Sequence, residues 1–157
     1  MNGLDINRRL ILAAKEIVEQ TSPVTDIVGD HITIAGDISD KAHYPCVTLK
    51  VVNTFQFERN TGWYMAHLQL AGNTHQQDDK AMEMLMTLAG HLRTIIQDRD
   101  FANKLNATAI ASSVDTALTV ADIEHTDEYE DTVGTNGRSI GVTCMCLCRP
   151  SKGKNKG

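Results

Sequence analysis

The sequence contains few aromatic side chains and no long uninterrupted apolar run. Its 157 residues include one Trp, three Tyr and three Phe, which together make up 4% of the chain. A surface that binds single-stranded nucleic acid by stacking normally gathers several aromatic side chains in one place. No stretch approaches the roughly 18 apolar residues of a membrane-spanning helix, and the N-terminal MNGLDINRRL lacks the pattern of a secretory signal. We therefore expect no base-stacking platform, no membrane association and no secretory signal.

Positive charge and catalytic motifs are also scarce. The formal net charge is −5 at pH 7, whereas broad nucleic-acid binding needs a basic surface. The chain has no glycine-rich phosphate loop, no G-x-S-x-G elbow and no H-E-x-x-H pair. Its six His are scattered, and none forms a metal pair at helical i, i+4 spacing. The sequence therefore predicts no catalytic residue, no metal site and no cofactor.

The four cysteines leave two interpretations open. Cys144, Cys146 and Cys148 have i, i+2, i+4 spacing, which in a strand places all three on one side of the sheet, about 6.6–6.8 Å apart. A straight strand of this kind cannot close a tetrahedral metal site alone. The three thiols can therefore be small core residues. The alternative is a small thiol- or metal-dependent enzyme that also uses Cys46 or a His.

Apolar periodicity predicts a single α+β domain over residues 1–149, followed by a disordered basic tail over residues 150–157. The expected sheet is mostly antiparallel, with an N-terminal helix and one long helix packed on it in the order α-β-β-β-α-β-β. The predicted helices cover residues 4–21 and 75–97, and the predicted strands cover residues 31–34, 44–58, 63–71, 107–123 and 138–149.

Residues at the ends of these elements and between them predict where helices begin and end and where loops lie. The Thr21-Ser22-Pro23 sequence is expected to end the first helix. Thr74 and Gln77 fit a capping box at the start of the long helix, and Asp78 and Asp79 suit its positive end. Residues 35–43 and 98–106 are interpreted as loops.

One predicted hairpin carries more than half of the aromatic side chains. Since aromatic residues and Arg are enriched at protein interfaces, we interpret it as a candidate subunit or partner interface. A second interpretation is that Phe55 and Phe57 complete the core, because they continue the apolar phase of Val47, Leu49 and Val51, while Trp63 covers the core's edge. The candidate residues are Phe55, Phe57, Glu58, Arg59, Trp63 and Tyr64.

An acidic segment lies between the last two predicted strands. It is interpreted as a loop at a hairpin tip, and its spacing does not fit an EF-hand calcium loop. Either it is simply solvated, or it makes an electrostatic contact with a partner ring or a neighbouring copy of the chain. The candidate contact residues are Glu124, Asp127, Glu128, Glu130 and Asp131.

The arrangement resembles the tail terminator (tail-completion) family of long-tailed bacteriophages, including the lambda-type members. The resemblance covers about residues 4–149 and rests on the order of features along the chain. An N-terminal helix precedes YPCVTL at residues 44–49, which opens a strand. The aromatic hairpin, the long helix and a late strand pair separated by the acidic segment then follow.

This resemblance implies a structural virion protein without enzymatic activity. Such a protein forms a homohexameric ring that caps the tail tube, stops its polymerisation and offers the surface for joining the head. The implied partners are the tail tube protein and a head-completion or connector protein, while DNA passes through without specific binding. The chain would be assembled in the host cytoplasm and located in the virion tail or neck. A neighbouring head–tail connector (neck) protein is the alternative in the same class.

Overall fold

Helices cover one side of a five-stranded sheet in the computed structural model, which describes residues 3–34, 44–58, 61–133 and 137–151. The α+β class with a mostly antiparallel sheet, an N-terminal helix and a long helix is confirmed. The elements are α1 (Gly3–Glu19), α2 (Ser22–Val28), β1 (Ile32–Ile34), β2 (Cys46–Gln56), β3 (Tyr64–Thr74), α3 (Asp79–Gln97), α4 (Phe101–Asn106), α5 (Ala109–Ser112), β4 (Leu118–Val133) and β5 (Gly137–Pro150).

The sheet has the strand order β1-β2-β3-β5-β4. The short β1 pairs with β2 in parallel, and the other neighbours are antiparallel. The β3–β5 ladder is the unbroken centre of the sheet, running from Tyr64 opposite Cys148 to Thr74 opposite Arg138. β4 forms one outer edge along 16 residues.

The core lies between the helices and one face of the sheet. Ile6, Leu10 and Val18 on α1 are fully buried, and their spacing is that of a single apolar helix face. On the sheet, alternate residues point to the same side, so β3 contributes Ala66, Leu68 and Leu70. The buried core residues of α3 are Ala81, Leu85, Leu88, Ala89, Leu92, Ile95 and Ile96.

Arg9 is a charged residue inside this packing. Its Nη1 donates to the carbonyl oxygen of Ala117 at 2.5 Å, and its Nε lies 3.0 Å from Asp5 Oδ2. The bond to Ala117 connects α1 to the segment that leads into β4, and the nearby Asp5 carboxylate offsets part of the cost of burying the charge.

Several predicted boundaries are wrong. Pro23 does not lead into a simple link, because it occupies the first turn of α2, where its missing N–H leaves no hydrogen bond unmade. Residues 98–106 include the helix α4, in which Phe101 and Leu105 are the buried anchors. The predicted strand from residue 107 starts only at Leu118, because Thr108 caps α5 by accepting from the backbone N–H of Ala111. The predicted loop over residues 35–43 lies outside the described residues.

Candidate assembly interface

A β-bulge decides which side of the sheet the hairpin aromatics occupy. The β2–β3 register shifts between Val52 and Phe55, and Asn53 has a φ of 53°. Asn tolerates this left-handed conformation better than most residues. Before the bulge, Val47 and Leu49 point into the core. After it, Phe55 pairs with Met65, which points away from the core because the next residue, Ala66, points into it. Because direct cross-strand partners share a face, Phe55 lies on the side away from the helices.

The prediction that Phe55 and Phe57 continue the core face is therefore wrong. Phe55 is 51% exposed and Phe57 is 37% exposed. The backbone N–H of Phe57 donates to the carbonyl oxygen of Trp63 at 2.8 Å, which keeps these two residues opposite each other near the hairpin tip. We define the aromatic surface as Phe55, Phe57, Trp63, Met65 and Leu147.

The hairpin tip has its own local bonding. The hydroxyl of Thr61 donates to the carbonyl oxygens of Phe57 at 2.7 Å and Glu58 at 3.2 Å, and it accepts from the backbone N–H of Trp63 at 3.3 Å. Glu58 has a φ of 57° and is exposed. These bonds fix the direction of the chain at the point where Trp63 enters β3.

Arg149 joins the aromatic surface from β5. Its guanidinium carbon lies 4.8 Å from the centre of the Trp63 ring, a distance at which a cation is attracted to the ring face. The side chain is exposed, so positive charge lies directly beside the half-buried Trp63 ring. Arg149, Met65 and Leu147 were not among the predicted interface residues, although their alternation along β3 and β5 was a usable signal.

Tyr64, another predicted interface residue, lies apart from the aromatic surface. Tyr64 pairs with Cys148 and packs against the core, so it lies on the helix side of the sheet. Arg59 lies outside the described residues. Of the predicted set, Phe55, Phe57 and Trp63 therefore form one surface, with Glu58 at its end.

The acidic segment belongs to a strand, so the predicted loop is wrong. Residues 124–131 are part of β4 and pair with β5 from Glu124 opposite Met145 to Asp131 opposite Ser139. We call the five candidate acids the acidic strand. All five are exposed: Glu124, Asp127, Glu128, Glu130 and Asp131. A row of charge along an outer strand discourages uncontrolled edge pairing.

Side chains on the acidic strand alternate between the two sides of the sheet. Glu128 forms an ion pair with Arg93 of α3, which places Glu128 on the helix side. Tyr129 points the other way and covers Gly141, since a Cβ built at Gly141 would lie 2.2 Å from the Tyr129 ring. Burial and the nearby Asp131 carboxylate raise the pKa of Tyr129.

The thiols form part of the core. All four cysteines are free and buried, and the Cys144 and Cys146 sulfurs lie 3.8 Å apart. Burial raises the pKa of Cys148 to about 12. The hydrogen bond with Cys144, together with burial, raises the pKa of Cys146. A buried thiol with a raised pKa is a poor nucleophile, so the contacts favour the packing interpretation.

A metal site needs a cluster of ligating side chains, and a membrane span needs a long apolar helix. Across the described residues, no three His, Cys, Asp or Glu side chains come close enough together to hold a metal ion. Within the same part of the chain, no helix has both the length and the apolar character needed to cross a bilayer.

Comparison with known proteins shows a likeness of fold. No protein-family model and no curated protein matches the sequence. Among solved structures, the chain is similar to one in the structure described as "Virion of native gene transfer agent (GTA) particle", with a TM-score of 0.55 and 11% sequence identity. The match covers 91% of this chain and 95% of that one. The two chains share a fold.

Proposed function

We propose that the chain is a structural protein of a phage-like virion and acts as its tail terminator. It would form a ring on the last layer of tail-tube subunits, end their polymerisation and present the surface that joins the head. The observation that carries this proposal is the fold likeness to a virion chain over nearly the full length of both. The element order agrees with the one on which the resemblance to tail terminators rests.

The exposed surfaces support a protein that works by assembly. Phe55 and Phe57 of the aromatic surface and all five acids of the acidic strand are exposed, and aromatic side chains with a neighbouring Arg are typical anchors of protein interfaces. The buried thiols weigh against the alternative of a thiol-dependent enzyme.

A closed ring with cyclic symmetry needs two different patches on each subunit, one for each neighbour. We propose six copies, with the tail tube protein and a head-completion protein as further partners. An acidic lumen would repel DNA and help it pass without specific binding. A ring structure whose lumen is basic would contradict this part of the proposal.

Particles that lack this chain provide the test. Negative-stain images should show overlong tail tubes, and adding back the wild-type gene should restore tubes of uniform length. Tails of normal length beside filled but unjoined heads would contradict a terminator and favour a neck protein instead.

A further inference from the structure

We propose that the aromatic surface of one copy binds the acidic strand of the next copy. This contact would close the ring, so the inference rests on the proposed function and names the two patches that meet. The occupant of the aromatic surface is then a second copy of this chain, recognised by apolar contact at the aromatic side chains and by opposite charge around them.

Positive charge borders the aromatic surface on the helix-free side of the sheet. Arg149 lies over the Trp63 ring and is exposed. Lys50 on β2 is also exposed and pairs with Gln69, two register positions beyond Val52. A partner for this surface should therefore combine negative charge with some apolar contact.

The acidic strand meets both requirements. Its five acids are exposed, and the ring of Tyr129 lies among them above Gly141. Arg93 forms an ion pair with Glu128 on the helix side. A cationic partner approaching from the opposite side would therefore meet Asp127 and Asp131, which flank Tyr129 in the register.

Arg149 cannot reach Asp127 or Asp131 within one copy. Asp127 is opposite Thr143, which lies six residues along β5 from Arg149, so the two charges are roughly 20 Å apart. Complementary patches fixed at a distance on one rigid sheet can pair only between copies. Such a contact is heterologous, which is the kind that builds a ring.

Charge reversal tests the pairing. The first variant combines Lys50→Glu and Arg149→Glu, and the second combines Asp127→Lys and Asp131→Lys. We expect each variant alone to self-associate on the order of tenfold or more weakly than wild type in native mass measurements, because like charges then face each other. An equimolar mixture of the two should recover the wild-type oligomer, with the variants alternating around it.

The controls carry equal charge changes away from both patches. Arg8→Glu with Lys80→Glu matches the first variant, and Asp26→Lys with Glu83→Lys matches the second; all four residues are exposed. Both controls should assemble like wild type. Circular dichroism would establish that every variant is folded.

The inference would be overturned if the first variant assembled like wild type. It would also be overturned if mixing the two variants failed to restore the oligomer. If tubes are still capped in either case, the proposed function stands without the inferred contact. If the charge-reversed variants behave as expected but tubes are never capped, the contact stands and the terminator function fails.

A photo-reactive amino acid in place of Phe57 maps the contact directly. Mixing isotope-labelled and unlabelled copies separates links between copies from links within one. We expect links between copies to fall on β4. Links confined to a single copy, or to other strands of the neighbour, would contradict the inferred contact.

Discussion

At the scale of single residues, Gly141 and Tyr129 form a close cross-strand fit on the helix-free side of the sheet. A side chain at residue 141 would need the space that the Tyr129 ring occupies. The ring in turn shields the backbone that glycine leaves uncovered, a pairing that stabilises glycine positions in sheets. Tyr129 therefore has a structural reason for its place among the acids.

Gly141→Ala should lower the free energy of unfolding by about 1–3 kcal/mol, since overpacking forces the ring to move. Gly90→Ala is the matched control, because a Cβ there meets nothing within 4 Å inside α3; we expect it to raise stability by about 0.4–1 kcal/mol. Chemical denaturation measures both. A Gly141→Ala penalty that persists in a Tyr129→Ala background would contradict the assigned clash.

The thiols make a prediction about alkaline pH. The pKa of Cys148 in the folded chain is raised to about 12, from an ordinary value of 9.0. Above pH 9 the unfolded chain loses this proton while the folded chain keeps it, so deprotonation favours unfolding. Stability from this group is complete below about pH 9 and is lost as the pH rises toward 12.

We therefore expect the free energy of unfolding to fall by up to about 1.4 kcal/mol per pH unit for each such group within this window. Denaturant titrations of wild type and Cys148→Ala at successive pH values measure the slope. The variant should show a shallower slope whatever its stability at neutral pH. Equal slopes would show that the Cys148 thiol is not protected by folding.

At the scale of elements, the bulge in β2 shows where the sequence pattern no longer predicts which face of the sheet a residue occupies. The alternation of apolar and polar residues correctly predicted the strand and its core face as far as Val51. A single residue with a left-handed φ then reversed the phase of Phe55 and Phe57. Asn53 looks like an ordinary polar position in a strand, and the register shift depends on pairing with a distant segment.

Asn53→Val should destabilise the chain by about 1–2 kcal/mol, because a β-branched residue resists a φ of 53°. Asn53→Gly is the matched control and should be close to neutral, since glycine adopts this conformation readily. Thermal unfolding compares the two. Similar stability of both variants would argue against a left-handed residue at the bulge.

The start of α3 shows a second limit of local sequence patterns. Thr74 and Gln77 suggested a capping box, but β3 continues through Thr74, which pairs with Arg138. The capping residue is Asp78, whose carboxylate accepts from the backbone N–H of Ala81 at 2.8 Å. The tertiary pairing of β3 with β5 overrides the local signal, and a nearby acid serves as the cap.

Asp78→Ala should therefore cost about 0.5–2 kcal/mol of stability, while Asp78→Asn, which keeps a capping oxygen, should cost much less. Equilibrium unfolding of both variants measures the difference. A loss of equal size in the two variants would point to charge rather than capping.

At the scale of the whole molecule, the sequence predicted the class and order of elements because long apolar periods survive local irregularity. It predicted which segment carries the aromatic side chains but not which face they occupy. It also missed Arg149, because its position over Trp63 depends on the β3–β5 register. The acidic segment was predicted as a loop because a run of charged residues lacks the apolar alternation typical of a strand. The segment is a strand because it pairs with β5.

The resulting molecule has two different sides. The helices and one sheet face form the core, while the opposite face presents an aromatic surface with positive charge at one end and acids along the outer strand. This polarity suits a subunit that contacts different neighbours with different patches. It is also the feature that the proposed ring would use.

The most direct measurement of the central claim is tube length in the presence of the purified chain. Tail-tube subunits of the same virion would be polymerised with increasing amounts of wild-type protein and imaged by electron microscopy. A terminator should shorten the mean tube length in proportion to its concentration and should be found at the ends of the tubes. Tubes of unchanged length with no bound chain at their ends would contradict the account.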